Sequence, residues 1–329
     1  MTEPILALDG VCRDFTRHPD YAERLANYVL RRPGPSRVRA VDNVSLSVAP
    51  GEVLGIVGES GCGKSTLARM IAGILPPTAG TVRVGGTDLA TAPERQRRAA
   101  SLAVQMVFQD PTASLNPRAR VLDIIGEAPV AHGLVAPRDR ERHVCALLER
   151  VGLDPAARLL YVHQFSGGQR ARIAIARALA VNPSVLVCDE STAALDVSIQ
   201  AQIINLFMEL RAAMGLTYVF VSHDLGVVEH ISDRIAVMYL GRVIELADTE
   251  TLFRDPRHPY TRALLDEVPR LEPVKRQFTA VRGEMPSPLA PPSGCHFHPR
   301  CPVATPQCTD DRPALRTLDD GRLAACHFA

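Results

Sequence analysis

Short hydrophobic runs separated by turn-forming residues organise the first part of the chain. Two of these runs, Val38–Val48 and Val53–Val57, predict strands of a partly buried sheet. The residues Leu67–Ala72 predict a helix, and the polar, proline-bearing segment Arg31–Arg37 predicts a loop. The N-terminal part is therefore expected to consist mainly of strands, with a first helix directly after the second run.

The pattern becomes helical between about residues 111 and 165. Apolar residues recur at helical spacing around Val121–Ile125 and Val144–Val151. Pro129 and Pro137 lie between these two segments, and a proline inside a helical pattern usually ends or kinks the helix. We therefore predict a helical insertion whose helices are separated by the two prolines.

Helices then alternate with short, continuous apolar runs. Ser166–Ala180 and Ile199–Met214 predict helices, whereas Val185–Cys188 and Tyr218–Val221 predict strands. Continuous apolar runs joined by helical crossovers are typical of a parallel sheet that is buried on both faces. The pattern as a whole predicts an α/β fold.

The pattern of hydrophobic and polar residues changes again beyond Phe253. Twelve of the 26 prolines lie between Pro256 and Pro313, and apolar runs are few. Such a segment buries little core of its own. It is therefore expected to dock on the preceding domain or to be cross-linked through its cysteines.

The overall composition is that of an ordinary globular protein and excludes a disordered one. Among 329 residues, 46% are hydrophobic and 22% charged, and the net charge of +1 gives no support to a strongly basic nucleic-acid binder. No run approaches the roughly 20 apolar residues of a membrane-spanning helix, and the first residues lack the features of a secretion signal. We expect a cytoplasmic protein that reaches a membrane only through a protein partner or a surface contact.

The strongest local motif lies between the strand Val53–Val57 and the helix Leu67–Ala72. This phosphate loop has the sequence Gly58-Glu59-Ser60-Gly61-Cys62-Gly63-Lys64-Ser65-Thr66. Its glycines allow backbone N–H groups to surround phosphate oxygens, and the helix N-terminus adds a positive dipole. Lys64 is predicted to contact β- and γ-phosphates and the Ser65 hydroxyl to bind Mg²⁺. Only two of the 37 basic residues are lysines, which indicates that position 64 needs a compact ammonium.

Two adjacent carboxylates, Asp189 and Glu190, follow the predicted strand Val185–Cys188. Ligands of open α/β sheets bind at the carboxyl ends of strands. Asp189 is suited to hold Mg²⁺, and Glu190 is placed to polarise an attacking water as general base. The alternative is a solvated strand end, and the phosphate loop upstream favours the catalytic interpretation.

A second candidate anion site opens the helix after Phe165. Ser166 is a good N-cap, and the next two residues, Gly167 and Gly168, permit close approach of the backbone. With Gln169 they form what we term the signature segment, residues 166–169. On its own this motif is weak, since it also describes an ordinary capped helix after a loop.

Together, the motifs resemble those of ATPase subunits of ABC transporters. The resemblance covers about Leu6 to Phe253. It rests on six ordered motifs: the phosphate loop, Gln109 in Val107-Phe108-Gln109-Asp110, the signature segment, Asp189-Glu190, Ala194-Leu195-Asp196, and His223. It implies an ABC ATPase fold over residues 1–255, with a RecA-like α/β core, an antiparallel β-subdomain and a helical subdomain at about 111–165. Residues 256–329 are then a C-terminal extension.

The resemblance also implies roles for individual residues. ATP is held between the phosphate loop of one subunit and the signature segment of the other, in a head-to-tail dimer. Gln109 then joins the Mg²⁺ shell and senses the γ-phosphate, His223 contacts the γ-phosphate, and Asp196 lies across the dimer interface. Phe15 lies where the family has an aromatic residue that stacks on adenine, although a core phenylalanine of the first strand is the alternative.

Two positions depart from the family pattern. Phe165 stands where leucine is usual before the signature segment, and Ser191 stands where proline usually follows the catalytic glutamate. The first change keeps the position apolar, and the second loosens the backbone after Glu190. Neither removes a catalytic group, so an active ATPase is still expected.

The C-terminal extension narrows the resemblance. The segments Arg257–Leu265 and Pro291–Pro302 are similar to the tail of oligopeptide and dipeptide importer ATPases, and nickel importers share this tail. The stretch Ser60–Arg69 and the insert after Phe15 resemble the second of the two ATPase subunits of such importers. Expected partners are two transmembrane permeases, a sister ATPase in preference to a second copy, and indirectly an extracytoplasmic substrate-binding protein, but no nucleic acid.

The same resemblance implies a location at the cytoplasmic face of the membrane, held there by the permeases. A soluble ABC ATPase that acts on ribosomes or DNA is the main rival class. Members of that class usually carry two ATPase cassettes or a long coiled-coil insert, and this sequence has one cassette and no such insert.

Four of the eight cysteines are clustered in the extension: Cys295, Cys301, Cys308 and Cys326. In a reducing compartment, such a cluster indicates a metal site before a disulfide framework. Four thiolates can hold a 4Fe–4S cluster or a zinc ion, and the absence of tight CxxC pairs disfavours zinc. Some members of the importer group that this tail resembles are similar to iron–sulfur proteins here, so the resemblance implies an iron–sulfur cluster in preference to zinc or free structural thiols, which remain the alternatives.

Overall fold

The computed structural model describes residues 3–16, 37–193, 195–267 and 283–329. Its strands are β1 (Leu6–Thr16), β2 (Arg37–Val48), β3 (Val53–Val57), β4 (Ala79–Val84), β5 (Thr87–Asp88), β6 (Val104–Val107), β7 (Val185–Asp189), β8 (Thr217–Val221), β9 (Arg234–Tyr239), β10 (Arg242–Asp248), β11 (Arg316–Thr317) and β12 (Leu323–Ala324). Its α-helices are α1 (Lys64–Ile71), α2 (Glu94–Ala103), α3 (Pro111–Ser114), α4 (Val121–Ala131), α5 (Arg140–Arg150), α6 (Gly167–Leu179), α7 (Val197–Met214), α8 (Leu225–Ile231), α9 (Thr249–Arg254), α10 (Pro259–Asp266) and α11 (Pro306–Asp310).

The larger of two sheets has the strand order β11-β12-β10-β9-β3-β8-β7-β6. The five strands from β9 to β6 are parallel to one another. In β3, β7 and β8 every residue is buried, which explains why these strands are continuous apolar runs. The predicted parallel sheet is thus confirmed, and the carboxyl ends of β3, β8, β7 and β6 meet at one edge.

The smaller sheet is antiparallel, with the order β2-β1-β4-β5. Its inner residues, such as Leu6 and Val41, share a core with Ile56 of β3 and Leu67 of α1. The expected antiparallel β-subdomain therefore packs directly on the element that carries the phosphate loop. Of the predicted loop at 31–37, only Arg37 belongs to the described residues, and it begins β2.

Helices α4 and α5 occupy the predicted helical region and pack on α6 through Ile125, Val144 and Leu148. One expectation about this region is wrong, because Pro129 does not end its helix. Helix α4 continues through Pro129 to Ala131. The proline lacks the N–H that would bond to the carbonyl oxygen of Ile125, and the helix accommodates this single lost bond before it ends two residues later. Pro137 instead begins a short 3₁₀ turn before α5.

The C-terminal extension docks on the main sheet. Strand β12 pairs antiparallel with β10, with Glu245 opposite Ala324, and β11 continues the same edge. All eight cysteines are free of disulfide bonds. The extension is therefore held by docking on the preceding domain, the first of the two expectations, and not by disulfide cross-links. Across the described ranges, no helix has the length and apolar character needed to span a membrane.

Candidate nucleotide-binding site

The phosphate loop joins the buried strand β3 to helix α1. Two of its glycines occupy positions that no other residue fits. Gly58 has φ +149°, and a Cβ there would lie 2.3 Å from the backbone oxygen of Met238. Gly63 has φ +109°, and a Cβ there would lie 2.2 Å from the backbone oxygen of Ala40. Neighbouring strands therefore fix the path of the loop, which only glycine can follow.

Lys64 is buried at the start of α1, and its ammonium points back into the loop. Nζ donates hydrogen bonds to the carbonyl oxygens of Gly58 (2.7 Å) and Glu59 (3.0 Å). The ammonium is thus fixed inside the loop that the sequence assigns to phosphates. The neighbouring Cys62 is buried, and burial raises the pKa of its thiol, which favours a small packing residue over a reactive one.

Ser65 and Asp189 meet although 124 residues separate them in sequence. The Ser65 hydroxyl donates to Oδ1 of Asp189 at 2.8 Å. Asp189 ends β7 and is only 2% exposed. Burial raises the pKa of its carboxyl, and the Ser65 hydrogen bond only partly opposes this. A hydroxyl and a single carboxylate beside a phosphate-binding loop form an oxygen donor set that suits Mg²⁺.

Glu190 follows directly and has a left-handed backbone, with φ +46°. Its N–H donates to the carbonyl oxygen of Val221 in β8, which anchors this unusual conformation. Gln109 Nε2 donates to Glu190 Oε2 at 2.8 Å, and His223 Nδ1 lies 3.5 Å from the same oxygen. The structure thus brings the two predicted catalytic residues, Glu190 and His223, together with the predicted Mg²⁺ residue Gln109 at the ends of β7, β8 and β6. The departure at Ser191 leaves this arrangement intact, and its side chain is buried.

The signature segment begins α6 as predicted. Ser166 Oγ accepts a hydrogen bond from the Gln169 N–H (3.3 Å), and Gln169 Oε1 accepts one from the Ser166 N–H (3.0 Å). This reciprocal capping box holds Gly167 at the surface with its backbone exposed. Phe165 is buried in front of it, in keeping with the tolerance expected for an apolar substitution.

Two further predicted residues lie at the surface. Phe15, near the end of β1, is 41% exposed, and the Arg13 guanidinium lies 5.0 Å from its ring centroid. The alternative of a core phenylalanine is therefore wrong. Asp196 is the exposed N-cap residue of α7, and its side chain makes no capping hydrogen bond.

Comparison with known proteins identifies the family. Residues 41–193 match the ABC transporter family, and residues 244–308 match the oligopeptide/dipeptide transporter C-terminal region. The oligopeptide transport ATP-binding protein AppF of Bacillus subtilis is 50% identical over 88% of this chain and 90% of its own length. The di/tripeptide transport ATP-binding protein DppF of Pseudomonas aeruginosa is 46% identical over 96% of both chains. The chain belongs to the ATP-binding subunits of oligopeptide and dipeptide ABC transporters. It is an ATPase of that family.

Solved structures agree with this assignment and with the expected fold. The cbiO1 protein of Clostridium perfringens, part of an ABC transporter complex, superposes with a TM-score of 0.62 at 28% identity, over 77% of this chain and 91% of that one. The ATP-binding cassette MJ0796, solved as a dimer bound to ADP and Pi, gives a TM-score of 0.62 at 27% identity, over 74% of this chain and 98% of that one. The ABC ATPase fold is therefore confirmed.

Sequence reasoning missed two residues that contact the phosphate loop of this ATPase. The Tyr260 hydroxyl accepts a hydrogen bond from the Glu59 N–H at 2.9 Å, and Arg300 NH1 donates to Glu59 Oε1 at 2.8 Å. Both belong to segments that the sequence identified only as the importer-type tail. No pattern in these segments distinguishes Tyr260 and Arg300 from the neighbouring tail residues.

The four-cysteine metal site predicted for the extension is not confirmed. Within the described ranges, no group of three or more His, Cys, Asp or Glu side chains is arranged to hold a metal ion. Burial raises the pKa of Cys295, Cys301 and Cys326, so a metal that bound these thiols would have to displace their protons. Cys326 Sγ accepts a hydrogen bond from the Phe328 N–H, and Cys308 Sγ lies 3.6 Å from the Thr305 hydroxyl.

Proposed function

We propose that this chain is the ATP-hydrolysing subunit of a membrane importer for di- and oligopeptides. Its ATP binding and hydrolysis would be coupled to transport through two partner permeases, at the cytoplasmic face of the membrane. The observation that carries the proposal is the identity of about one half to relatives named for peptide transport, which extends over nine-tenths of their length and into the C-terminal region.

In this proposal, the phosphate loop and Phe15 bind ATP. Phe15 stacks on the adenine, for which its exposed ring beside Arg13 is suited. The backbone N–H groups at the start of α1 surround the phosphates, and Lys64 exchanges its bonds to Gly58 and Glu59 for phosphate oxygens. Ser65, Asp189 and Gln109 hold Mg²⁺, which neutralises phosphate charge when bound.

Hydrolysis is assigned to Glu190 and His223. Gln109 donates a hydrogen bond to Oε2 of Glu190 and His223 Nδ1 lies 3.5 Å from the same oxygen, so the carboxylate is oriented before substrate arrives. Glu190 accepts the proton of the attacking water, and His223 contacts the γ-phosphate.

The catalytic unit in this proposal is a head-to-tail dimer. The signature segment contacts the ATP held by the opposite subunit, and Asp196 lies in the interface. Exposure of Gly167 and of Asp196 supports this assignment, because both are accessible to a partner. The chain is assigned as the second ATPase of a heterodimer, with a sister subunit that has its own phosphate loop.

We assign residues 1–255 to the nucleotide-binding domain, with a helical subdomain at about 111–165. Residues 256–329 are the importer-type extension. For the cluster of Cys295, Cys301, Cys308 and Cys326, we propose a 4Fe–4S cluster in preference to zinc. Burial raises the pKa of Cys295, and the charges of Cys308, Cys326 and Cys301 raise it further, which supports an interaction among the four cysteines.

Iron, acid-labile sulfide and zinc analysis of anaerobically purified protein tests that assignment. Four iron and four sulfide per chain, lost in Cys301→Ser, are the expected result. Stoichiometric zinc or metal-free thiols would each contradict it.

The transport assignment is tested by affinity purification from native membranes, followed by mass spectrometry of partners and of bound ligands. Two permeases, a second ATPase and a binding protein carrying peptide are expected. If permeases were recovered with a binding protein that carries nickel, the assigned substrate would be a metal ion and not a peptide. Ribosomal or DNA-repair proteins without permeases would overturn the transport assignment.

A further inference from the structure

Glu59, the second residue of the phosphate loop, has partners on both of its sides. Its carbonyl oxygen accepts a hydrogen bond from Lys64 Nζ at 3.0 Å, inside the loop. Its N–H donates to the Tyr260 hydroxyl at 2.9 Å, and its carboxylate pairs with Arg300 at 2.8 Å. Three parts of one residue therefore connect the phosphate-binding lysine to the C-terminal extension.

Tyr260 is itself held rigidly. It is fully buried in the first turn of α10, where the His258 ring accepts a hydrogen bond from its N–H at 3.0 Å. The backbone N–H groups of Arg257 and His258 donate to the carboxylate of Glu245, a fully buried residue of β10. The position of the tyrosine hydroxyl is thus set by the edge of the main sheet and not by the phosphate loop.

Arg300 approaches Glu59 from another part of the extension. Its side chain is only 5% exposed, and its guanidinium also lies against the Tyr239 ring and 3.5 Å from the Tyr239 hydroxyl. Burial lowers the pKa of Arg300, but its bonds and charge interactions with Glu59 and Tyr239 outweigh that effect and raise it overall. Tyr239, Tyr260 and Phe297 pack with ring centroids 4.7–5.4 Å apart, so both side chains that contact Glu59 share one aromatic cluster.

We propose that Tyr260 and Arg300 are positioning residues that hold the phosphate loop in its nucleotide-binding conformation. Neither touches the reacting atoms. Both act through Glu59, whose carbonyl position fixes where the Lys64 ammonium stands. The extension is thereby a structural part of the nucleotide site, in addition to any role toward permeases. This inference rests on the ATPase assignment and is independent of which substrate is transported.

The expected effect is on nucleotide affinity. A loop that must first be ordered binds ATP more weakly, whereas a bound complex still contains Lys64, Glu190 and His223 in place. Arg300→Met leaves the half-buried Glu59 carboxylate without its partner and should raise the KM and the Kd for MgATP about tenfold. Tyr260→Phe leaves the Glu59 N–H unpaired and should raise them about three- to fivefold. In both variants kcat should stay within about twofold of the parent value.

Matched variants separate positioning from a loss of stability. Arg322→Gln removes another buried arginine of the extension, which binds Asp255 and Asp320 and none of the phosphate loop. Tyr218→Phe removes another buried hydroxyl, which donates to the Phe207 carbonyl oxygen at 2.9 Å. Both controls should lower the Tm and leave the Kd for MgATP unchanged. Arg300→Lys should recover part of the affinity, because it restores the charge beside Glu59.

The measurements are isothermal titration of the full-length chain with MgATP, steady-state ATPase kinetics of the chain assembled with its sister ATPase, and thermal unfolding of each variant. A Glu59→Gln, Arg300→Met double variant should bind no more weakly than the weaker of the two single variants, since both act on one pair. Unchanged Kd in Arg300→Met and Tyr260→Phe, with the same loss of Tm as in the controls, would overturn the proposal. A loss of kcat at unchanged KM would overturn it as well. Neither result bears on the transport assignment, which the partner analysis tests separately.

Discussion

At the scale of single residues, Glu190 carries the most direct prediction. Replacing it by glutamine keeps the shape of the side chain and removes its ability to take a proton. Because general bases contribute about 10²–10⁴-fold, kcat for ATP hydrolysis should fall at least about 100-fold with ATP affinity preserved. Together with its sister ATPase, the variant should accumulate as an ATP-bound closed dimer, which size-exclusion chromatography with MgATP detects. Ordinary turnover in Glu190→Gln would remove this residue from the role of base.

Asp189 of the nucleotide site lowers the stability of the fold in the charged form that Mg²⁺ binding requires. Burial raises the pKa of its carboxyl, so the folded state disfavours the charged form that function requires. The unfolded chain ionises this group more readily, and stability is therefore lost as the pH rises through the interval between the unfolded and folded pKa values. Asp189→Asn should raise the Tm by about 2 °C at neutral pH and weaken the Mg²⁺ dependence of ATPase activity at least about tenfold.

Asp42 supplies the matched control for this prediction. It is also a buried aspartate, but its hydrogen bonds to Arg242 and Arg39 outweigh burial and lower the pKa of its carboxyl. Its charge therefore stabilises the fold at neutral pH. Asp42→Asn should lower the Tm, whereas Asp189→Asn raises it. Thermal unfolding of both variants in one buffer measures the two changes in Tm. Changes of the same sign would contradict the electrostatic argument.

At the scale of elements, the N-terminus of α10 makes the extension sensitive to acid. His258 caps this helix, is almost fully buried, and has its pKa lowered by burial to about 3. The unfolded chain binds a proton at this residue from about pH 6.5 downward, and the folded chain does so only near pH 3. Across that window the free energy of unfolding should fall as pH falls, by about 1.4 kcal/mol per pH unit from this residue.

His258→Asn tests this origin of the acid sensitivity. Asparagine retains a capping acceptor for the Tyr260 N–H and does not titrate. Denaturant unfolding at pH 7 and pH 5 should show a smaller loss of stability in the variant than in the parent chain. His296, whose pKa burial lowers to about 4, should account for a second part of the loss. An equal loss in parent and variant would show that His258 does not contribute.

The elements also show how far the sequence alone could reach. The phosphate loop, Asp189-Glu190 and the helix after Ser166 were predictable, because each is a contiguous motif whose conformation depends on nearby residues. These motifs form one site only because the parallel sheet brings them together, and the apolar runs around Val185 and Tyr218 indicated that sheet. The bonds from Tyr260 and Arg300 to Glu59 were not predictable, since they join residues 201 and 241 positions apart across a proline-rich segment without a regular pattern.

At the scale of the whole molecule, the decisive prediction concerns the two halves of the ATP site. Gly167 is exposed at the start of α6, and an added Cβ there would lie 3.8 Å from Leu195, an ordinary contact. An aspartate at this position is therefore compatible with the folded subunit and is favourable near a helix N-terminus. In a head-to-tail dimer, however, its charge would face the phosphates bound by the opposite subunit.

Gly167→Asp should accordingly leave the Kd of the isolated chain for MgATP within about twofold of the parent value. With the partner ATPase present, it should abolish ATP-driven dimerisation and reduce ATP hydrolysis at least about 100-fold. Gly167→Asn, which has the same size without the charge, should retain more of both activities. Titration calorimetry and sedimentation velocity with and without MgATP provide the two readouts. If Gly167→Asp dimerised and hydrolysed ATP normally, the signature segment would not contact nucleotide in trans. The dimer would then have to use another face of the chain.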